Sequence, residues 1–209
     1  MLRRRLRLPL DLLADHPVAP LASIRSMSDS FDRLSIRIPV IETDRLRLRG
    51  HRLDDFPHHR ALWADPLVTR FIGGKPLTEE EAWYRHLRYI GQWAFFGFGY
   101  WVVEDKSSGE FLGVAGFAEN RRDIEPSLKG LMEVGWVLSP QAHGKGLATE
   151  AVRAMLDWSD RNFPNTRTAC IIDADHTASI RVAEKCGYGD CQRTTYHGGP
   201  TLVFFRAPA

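Results

Sequence analysis

The sequence has little cysteine, little net charge of either sign and no long apolar run. Cys170, Cys186 and Cys191 are its three cysteines. The number is odd and no CxxC pair occurs, which argues against a disulfide framework and fits a reducing, cytoplasmic setting. Neither an HExxH motif nor a Cys/His cluster is present, so no metal is expected. No stretch of about 18 apolar residues exists, so no membrane span is expected. The formal net charge is +2; seven arginines against four aspartates place +3 in residues 1–38 and leave −1 for the rest. The body therefore lacks the bulk positive charge of a nucleic-acid binder. Internal repeats and low-complexity tracts are absent too.

What remains is enough for one ordinary domain: 209 residues, 44% of them hydrophobic. Residues 1–38 are set apart as a flexible N-terminal extension, and the domain is placed at 39–209. In the extension Arg3, Arg4, Arg5 and Arg7 alternate with leucines, as in a transit segment, but Pro9, Asp11 and Asp15 interrupt the apolar run. Met27 is an alternative start.

From residue 40 strands and helices alternate. TDRLRLRG (43–50) has the period of a half-buried strand. Asp54 and Asp55 are placed to cap a helix carrying Phe56, Leu62 and Trp63, with His58 and His59 on its surface. Thr78 with Glu81 predicts a capping box, followed by a helix with Trp83, Leu87 and Ile90 on its apolar side. WAFFGFGYW (93–101) reads as core or as the lining of a groove. YWVVED, FLGVAGF and LMEVGWVL are strands, the first two joined by KSSG; Gly135 in the third predicts a bulge or a close approach. A helix follows to about Asn162, with Leu147, Ala148, Ala151, Val152, Met155, Leu156 and Ser159 as its inner face. RTACIID is a strand; Asp175 or Thr177 caps the next helix, and Gly187 closes it. Two strands around Gly198-Gly199-Pro200 end the chain. The fold class is α/β of the α+β type, a mixed sheet with helices on both faces.

The most informative stretch is SPQAHGKGLATEA (139–151). Its glycines let the backbone approach a ligand, and the helix that follows adds unpaired N–H groups and a positive dipole end. A P-loop would need four residues between its glycines and then a Lys with Ser or Thr; here Gly144 and Gly146 are one residue apart and Leu147 follows. A dinucleotide fingerprint would need a third glycine where Thr149 stands. A coenzyme A pyrophosphate loop is the third option.

Taken in order, TDRLRLR, WVVEDKSSGEFLGVAGF, EVGWVLSPQAHGKGLATEA and HTASIRVAEKCGY resemble the GNAT superfamily of acyl-CoA N-acetyltransferases, nearest its RimJ/RimL-type branch. The resemblance spans about residues 41–206. It implies a central, mostly antiparallel sheet that splays between the strands at 131–138 and 167–173. Acetyl-CoA is implied as co-substrate. Its pantetheine arm would pair with backbone groups of Val137, Leu138 and Ser139. Its pyrophosphate would rest on N–H groups of His143, Gly144, Lys145, Gly146, Leu147 and Ala148, with Thr149 donating one more bond.

The chemistry implied is direct attack of a primary amine in a ternary complex, the amine being a protein N-terminus or a small molecule. Glu133 is the candidate base and Ser179 the candidate donor of a proton to the leaving thiolate. Relatives carry Asn where this chain has His176, which brings a titratable ring to the same place, as ligand for the pantetheine arm or as proton carrier. No cysteine lies where the family pattern would put a nucleophile. A homodimer is compatible with the pattern. Two other readings stay open: a catalytically silent acyl-CoA-binding module, which the His176 departure allows, and a nucleotide-binding switch protein.

Overall fold

The computed structural model describes residues 36–208, so all but the last three residues of the expected extension lie outside them. The TDRLRLRG segment makes one strand, β2 (Leu46–Arg49), as expected, and a two-residue strand, β1 (Ile41–Glu42), precedes it. Thr43 folds the chain between them: its hydroxyl accepts from Leu46 N–H at 2.9 Å, and its own N–H donates to Leu46 C=O at 2.9 Å.

β3 (Tyr100–Asp105), β4 (Phe111–Ala118) and β5 (Met132–Leu138) continue the sheet antiparallel. β6 (Thr168–Asp173), β8 (Gly199–Arg206) and β7 (Asp190–Tyr196) complete it, in the order β1-β2-β3-β4-β5-β6-β8-β7. Every pairing is antiparallel except β5 with β6, which pair at Met132↔Thr168 and Glu133↔Ala169 alone. Residues 134–138 of β5 therefore present an open edge. At the far end the turn residues are His197 and Gly198, both at positive φ (50° and 80°), while Gly199 and Pro200 belong to β8. That is the conformation a two-residue hairpin turn needs to match strand twist.

Helices α1 (Phe56–Ala64), α2 (Pro66–Thr69) and α3 (Glu79–Phe96) supply Leu62, Val68 and Tyr89, which pack on Val114 and Val137 of the sheet. The expected capping box starts α3: Thr78 Oγ1 accepts from Glu81 N–H at 3.2 Å, and Glu81 Oε2 accepts from Thr78 N–H at 2.8 Å. Its buried face, however, is Ala82, His86, Tyr89 and Trp93; Leu87 is 44% exposed. Tyr89 stacks on Tyr100 and the Trp93 indole donates to Tyr100 C=O at 3.0 Å, and these contacts set the helix's rotation. Within WAFFGFGYW, Trp93, Phe98 and Trp101 are core and Phe95 points outward.

On α4 (Leu147–Asn162) the inner face is as expected, with Ala148 only half-buried. α5 (Thr177–Lys185) is preceded by His176 at its N-cap, and no side chain caps it; Asp175 and Thr177 do not take that role. Its end is a Schellman motif at Gly187 (φ 86°): Gly187 N–H bonds Glu184 C=O and Tyr188 N–H bonds Ala183 C=O, both at 3.1 Å. The three cysteines are free, Cys170 and Cys186 buried and Cys191 exposed. No helix among the described residues is long and apolar enough to cross a membrane.

Two polar features sit under α1. Asp55 does not cap the helix with its side chain; instead it takes two bonds from Arg49, at 2.7 and 2.8 Å, and Arg49 Nε also donates to Glu104 at 2.7 Å. All three residues are under 9% exposed. Beside them His51, His59 and His86 bring their rings within 5.1–6.2 Å of one another, and none of their ring nitrogens has a hydrogen-bond partner. His58 is on the surface as expected; His59 is fully buried. It shares a face with Leu62 and Trp63, three and four residues on.

Burial, then the neighbouring His86 and Arg85 charges, push the His59 pKa down to about 3; burial and histidine neighbours push His51 well below its usual value, and burial lowers His86. These rings fold neutral, so the unfolded chain binds more protons once pH falls below about 6.5. Stability is expected to be full above that pH and to drop by about 1.4 kcal/mol per pH unit for each titrating ring on the way to lower pH. Urea midpoints at pH 7.5 and 5.0 check this: a clear fall is expected, and equal midpoints would contradict it.

Candidate functional site

A strand–turn–helix unit builds the first half of the site. After β5, Pro140 ends the strand, a single 3-10 turn (Pro140–Ala142) reverses the chain, and Gly144 and Gly146 take positive φ of 73° and 76° before α4 begins. Only glycine adopts two such positions at little cost. The turn leaves the N–H groups of Gly144, Lys145, Gly146, Leu147, Ala148 and Thr149 without an acceptor among the described residues. Six consecutive unpaired donors at a helix N-terminus form an anion cradle. His143 is not part of it: its N–H already bonds Pro140 C=O at 3.1 Å.

The cradle is held from behind. Arg45 Nη1 donates to Lys145 C=O at 2.9 Å, and Glu150 on α4 accepts from Arg45 Nε at 2.7 Å and from the Thr43 hydroxyl at 2.6 Å. The β1–β2 turn, a hundred residues earlier, thus fixes the loop.

The open edge of β5 is the second half. Ser139 N–H bonds Leu112 C=O at 2.8 Å, so alternation along the strand turns Val137 backbone groups toward β4 and those of Trp136 and Leu138 toward the open edge. His143 Nε2 occupies Leu138 C=O at 2.9 Å, and Ser139 C=O accepts from Ala142 N–H. The free edge groups are therefore those of Trp136 and the Leu138 N–H, whereas the sequence pointed to Val137, Leu138 and Ser139. No register shift interrupts the β4–β5 ladder, so Gly135 marks no bulge; a Cβ there would fall 2.0 Å from the Tyr100 hydroxyl.

Between the splayed strands, the α2–α3 connection and helix α3 lies a cleft of about 520 Å³. It brings together Glu133, Val137, His176 and Ser179 with Tyr100 of the WAFFGFGYW stretch, and it adds Arg122 and Tyr196, which sequence reading missed. The cradle residues do not line it; Lys145 and Leu147 border a separate cavity of about 500 Å³ beside Arg45 and Lys106.

Glu133 meets an unforeseen partner. Arg122 donates Nε to Glu133 Oε2 at 2.7 Å and Nη2 to Oε1 at 2.6 Å, and its Nη1 reaches the Tyr196 hydroxyl at 3.1 Å. Both carboxylate oxygens carry strong bonds, a geometry that favours positioning over proton abstraction. His176 stacks on Phe71 across the cleft, ring centroids 4.4 Å apart. Burial lowers its pKa against the pull of Asp173, with His143 adding to the fall, so the ring is neutral at pH 7. Ser179 is half-buried one turn along α5, and its hydroxyl has no partner among the described residues. Cys170 reaches the cleft wall; burial, then Glu133 charge, holds its thiol well above the usual value, and it stays protonated. Among the described residues no group of three His, Cys, Asp or Glu side chains is placed to hold a metal ion.

Residues 45–189 match the family model described as an acetyltransferase (GNAT) domain. The uncharacterized protein YkkB of Bacillus subtilis (strain 168) is 33% identical over 168 residues, 78% of this chain and 93% of that protein. A putative GNAT-family acetyltransferase from Bordetella pertussis superposes with a TM-score of 0.73 at 30% identity, covering 81% of this chain and all of that one. At 18% identity, where likeness speaks for the fold alone, a ribosomal L7/L12 α-N-protein acetyltransferase, RimL, solved in complex with coenzyme A, superposes with a TM-score of 0.64 over 81% of this chain and 98% of that one.

Proposed function

This chain belongs to the GNAT acetyltransferase family, and from that premise we propose that it transfers the acetyl group of acetyl-CoA to a primary amine by direct attack in a ternary complex. The cradle of six unpaired N–H groups at 144–149, next to the open edge of β5, carries this reading. It has the donors and the positive dipole end that a pyrophosphate requires, and the edge offers strand-like pairing to a pantetheine amide. Acetyl-CoA would supply the acyl group as an activated thioester. Gly144 to Thr149 would hold its pyrophosphate, and Trp136 and Leu138 its arm. Trp136 N–H, on the open edge and lining the cleft, is also a donor for charge developing on a carbonyl oxygen.

The acceptor enters from the α2–α3 side of the cleft. His176 Nδ1 or Nε2 takes the proton of the incoming ammonium, since the ring is neutral and faces the cleft. Glu133, fixed by Arg122, orients the wall opposite; the Ser179 hydroxyl supplies a proton to the leaving thiolate. Cys170, a buried thiol, forms no acyl-enzyme. The likeness in sequence parts to the RimJ/RimL-type branch, together with the RimL fold match, favours a protein N-terminal or small-molecule amine. Residues 39–209 are proposed as the catalytic domain and 1–38 as an extension outside it, in a cytoplasmic protein whose thiols stay reduced.

The test is amine-dependent release of coenzyme A thiol by wild type, His176→Asn and His176→Ala. His176→Asn should keep acetyl-CoA affinity but lose about 10²- to 10⁴-fold in kcat, the usual worth of a positioned base, with the acid limb of the pH–rate profile abolished. Full activity in His176→Asn would reduce His176 to a positioning residue.

A further inference from the structure

The cleft wall that receives the acceptor is cationic, and among the described residues three of its five arginines and lysines have no carboxylate partner. Arg122 is neutralised by Glu133, and Lys75 has Glu81 at 3.8 Å. Arg70, Arg85 and Arg88 line the same cleft, and among the described residues none has a carboxylate within 4.0 Å. The other cleft carboxylate, Asp173, accepts a backbone N–H from Asp175 at 2.9 Å.

Each free guanidinium lies near an aromatic ring: Arg85 over Trp63 at 4.0 Å, Arg70 over Phe71 at 5.0 Å, Arg88 over Tyr89 at 6.0 Å. Such contacts restrain the planes and leave N–H edges available. Arg85 Nε is buried with no acceptor among the described residues. A buried donor without a partner is costly and rare in a folded protein.

We infer that the acceptor is a small primary amine that also bears a carboxylate or phosphate, held by Arg70, Arg85 and Arg88 while its amine faces His176. This rests on the acetyl-transfer reading and narrows its substrate. The wall repels a polycation and attracts a zwitterionic or anionic amine, and planar guanidiniums suit the two or three oxygens of such a group.

Matched pairs of amines provide the test, with acetyl-CoA as donor: free α-amino acids against their amides, phosphoethanolamine against ethanolamine, and spermidine alone. The anionic member of a pair should have a kcat/KM about 10- to 100-fold higher, the worth of one or two charge-assisted hydrogen bonds. The first pair reports a carboxylate source and the second a phosphate source. Arg88→Leu, at an exposed position that leaves packing intact, should raise KM for the anionic member about tenfold with kcat and acetyl-CoA affinity unchanged. Arg88→Glu should shift preference toward spermidine. Equal or better turnover of amides, ethanolamine or spermidine by wild type would overturn the inference and leave the acetyl-transfer reading standing. So would a preference confined to peptides with acidic N-terminal residues. Acetyl-CoA binding without turnover of any amine would overturn both.

Discussion

Replacing Gly146 by aspartate is expected to raise the Kd for acetyl-CoA by more than about a hundredfold while the domain stays folded. Gly146 is the N-cap of α4, at φ 76°, and the nearest atom to an added Cβ is Arg45 Nη2 at 3.8 Å, so there is room for the side chain. An aspartate at an N-cap takes the N–H of the second or third helical residue. Here those are Ala148 and Thr149, two of the six donors of the cradle. The carboxylate would also bring a negative charge to the place where a pyrophosphate must sit. Losing one such charge-assisted bond costs about 1.5–3 kcal/mol, and repulsion between the carboxylate and the pyrophosphate takes the loss past a hundredfold. Against this, the left-handed backbone costs an aspartate about 1–2 kcal/mol, much of it offset by the cap it gains. Titration calorimetry with acetyl-CoA, alongside a thermal melt, checks both halves. Unchanged affinity would remove the loop from the coenzyme site.

Arg49→Met is expected to cost the largest share of stability of any single change on the surface-remote side, about 3–5 kcal/mol, because it strands two buried carboxylates. Asp55 and Glu104 are 6% and 8% exposed and depend on Arg49 for their charge partner. A loss of that size corresponds to a drop of roughly 10 °C in Tm for a domain of this length. Changing all three residues together, Arg49→Met with Asp55→Asn and Glu104→Gln, should recover most of the loss, since the penalty comes from unpaired charge and not from missing attraction. A triple variant as unstable as the single one would contradict this account of the triad.

These two sites show how far the sequence could be read. The cradle is local: its glycine spacing, the Pro140 stop and the helix pattern all lie within a dozen residues, and each feature is visible in one dimension. The Thr78–Glu81 box and the inner face of α4 were legible for the same reason. Asp55 was not, because a cap and an ion pair compete for the same carboxylate, and the contest is decided by Arg49, 6 positions before it, which itself pairs with Glu104, 55 positions after Arg49. His59 shows the same limit: its i+3 and i+4 partners Leu62 and Trp63 were a sufficient signal for burial, yet a titratable ring beside Arg60 reads as surface. Glu133 lines the cleft, but its partner Arg122 comes from an irregular segment with no periodicity to point inward. The GNAT-like motifs led to the fold and to the proposed acyl donor; that Arg70, Arg85 and Arg88 line one cleft follows from how the α2–α3 connection and α3 lie on the sheet, which no local pattern reveals.

The central claim is transfer of an acetyl group at this cleft, and the most direct measurement follows the group itself. Acetyl-CoA labelled in its acetyl carbons, incubated with the protein and an anionic primary amine, should yield labelled N-acetylated amine and free coenzyme A thiol in a one-to-one ratio, with no label on the protein. The Gly146→Asp variant should give neither product. Thiol release without labelled amide, or label retained on Cys170, would contradict direct transfer to an amine.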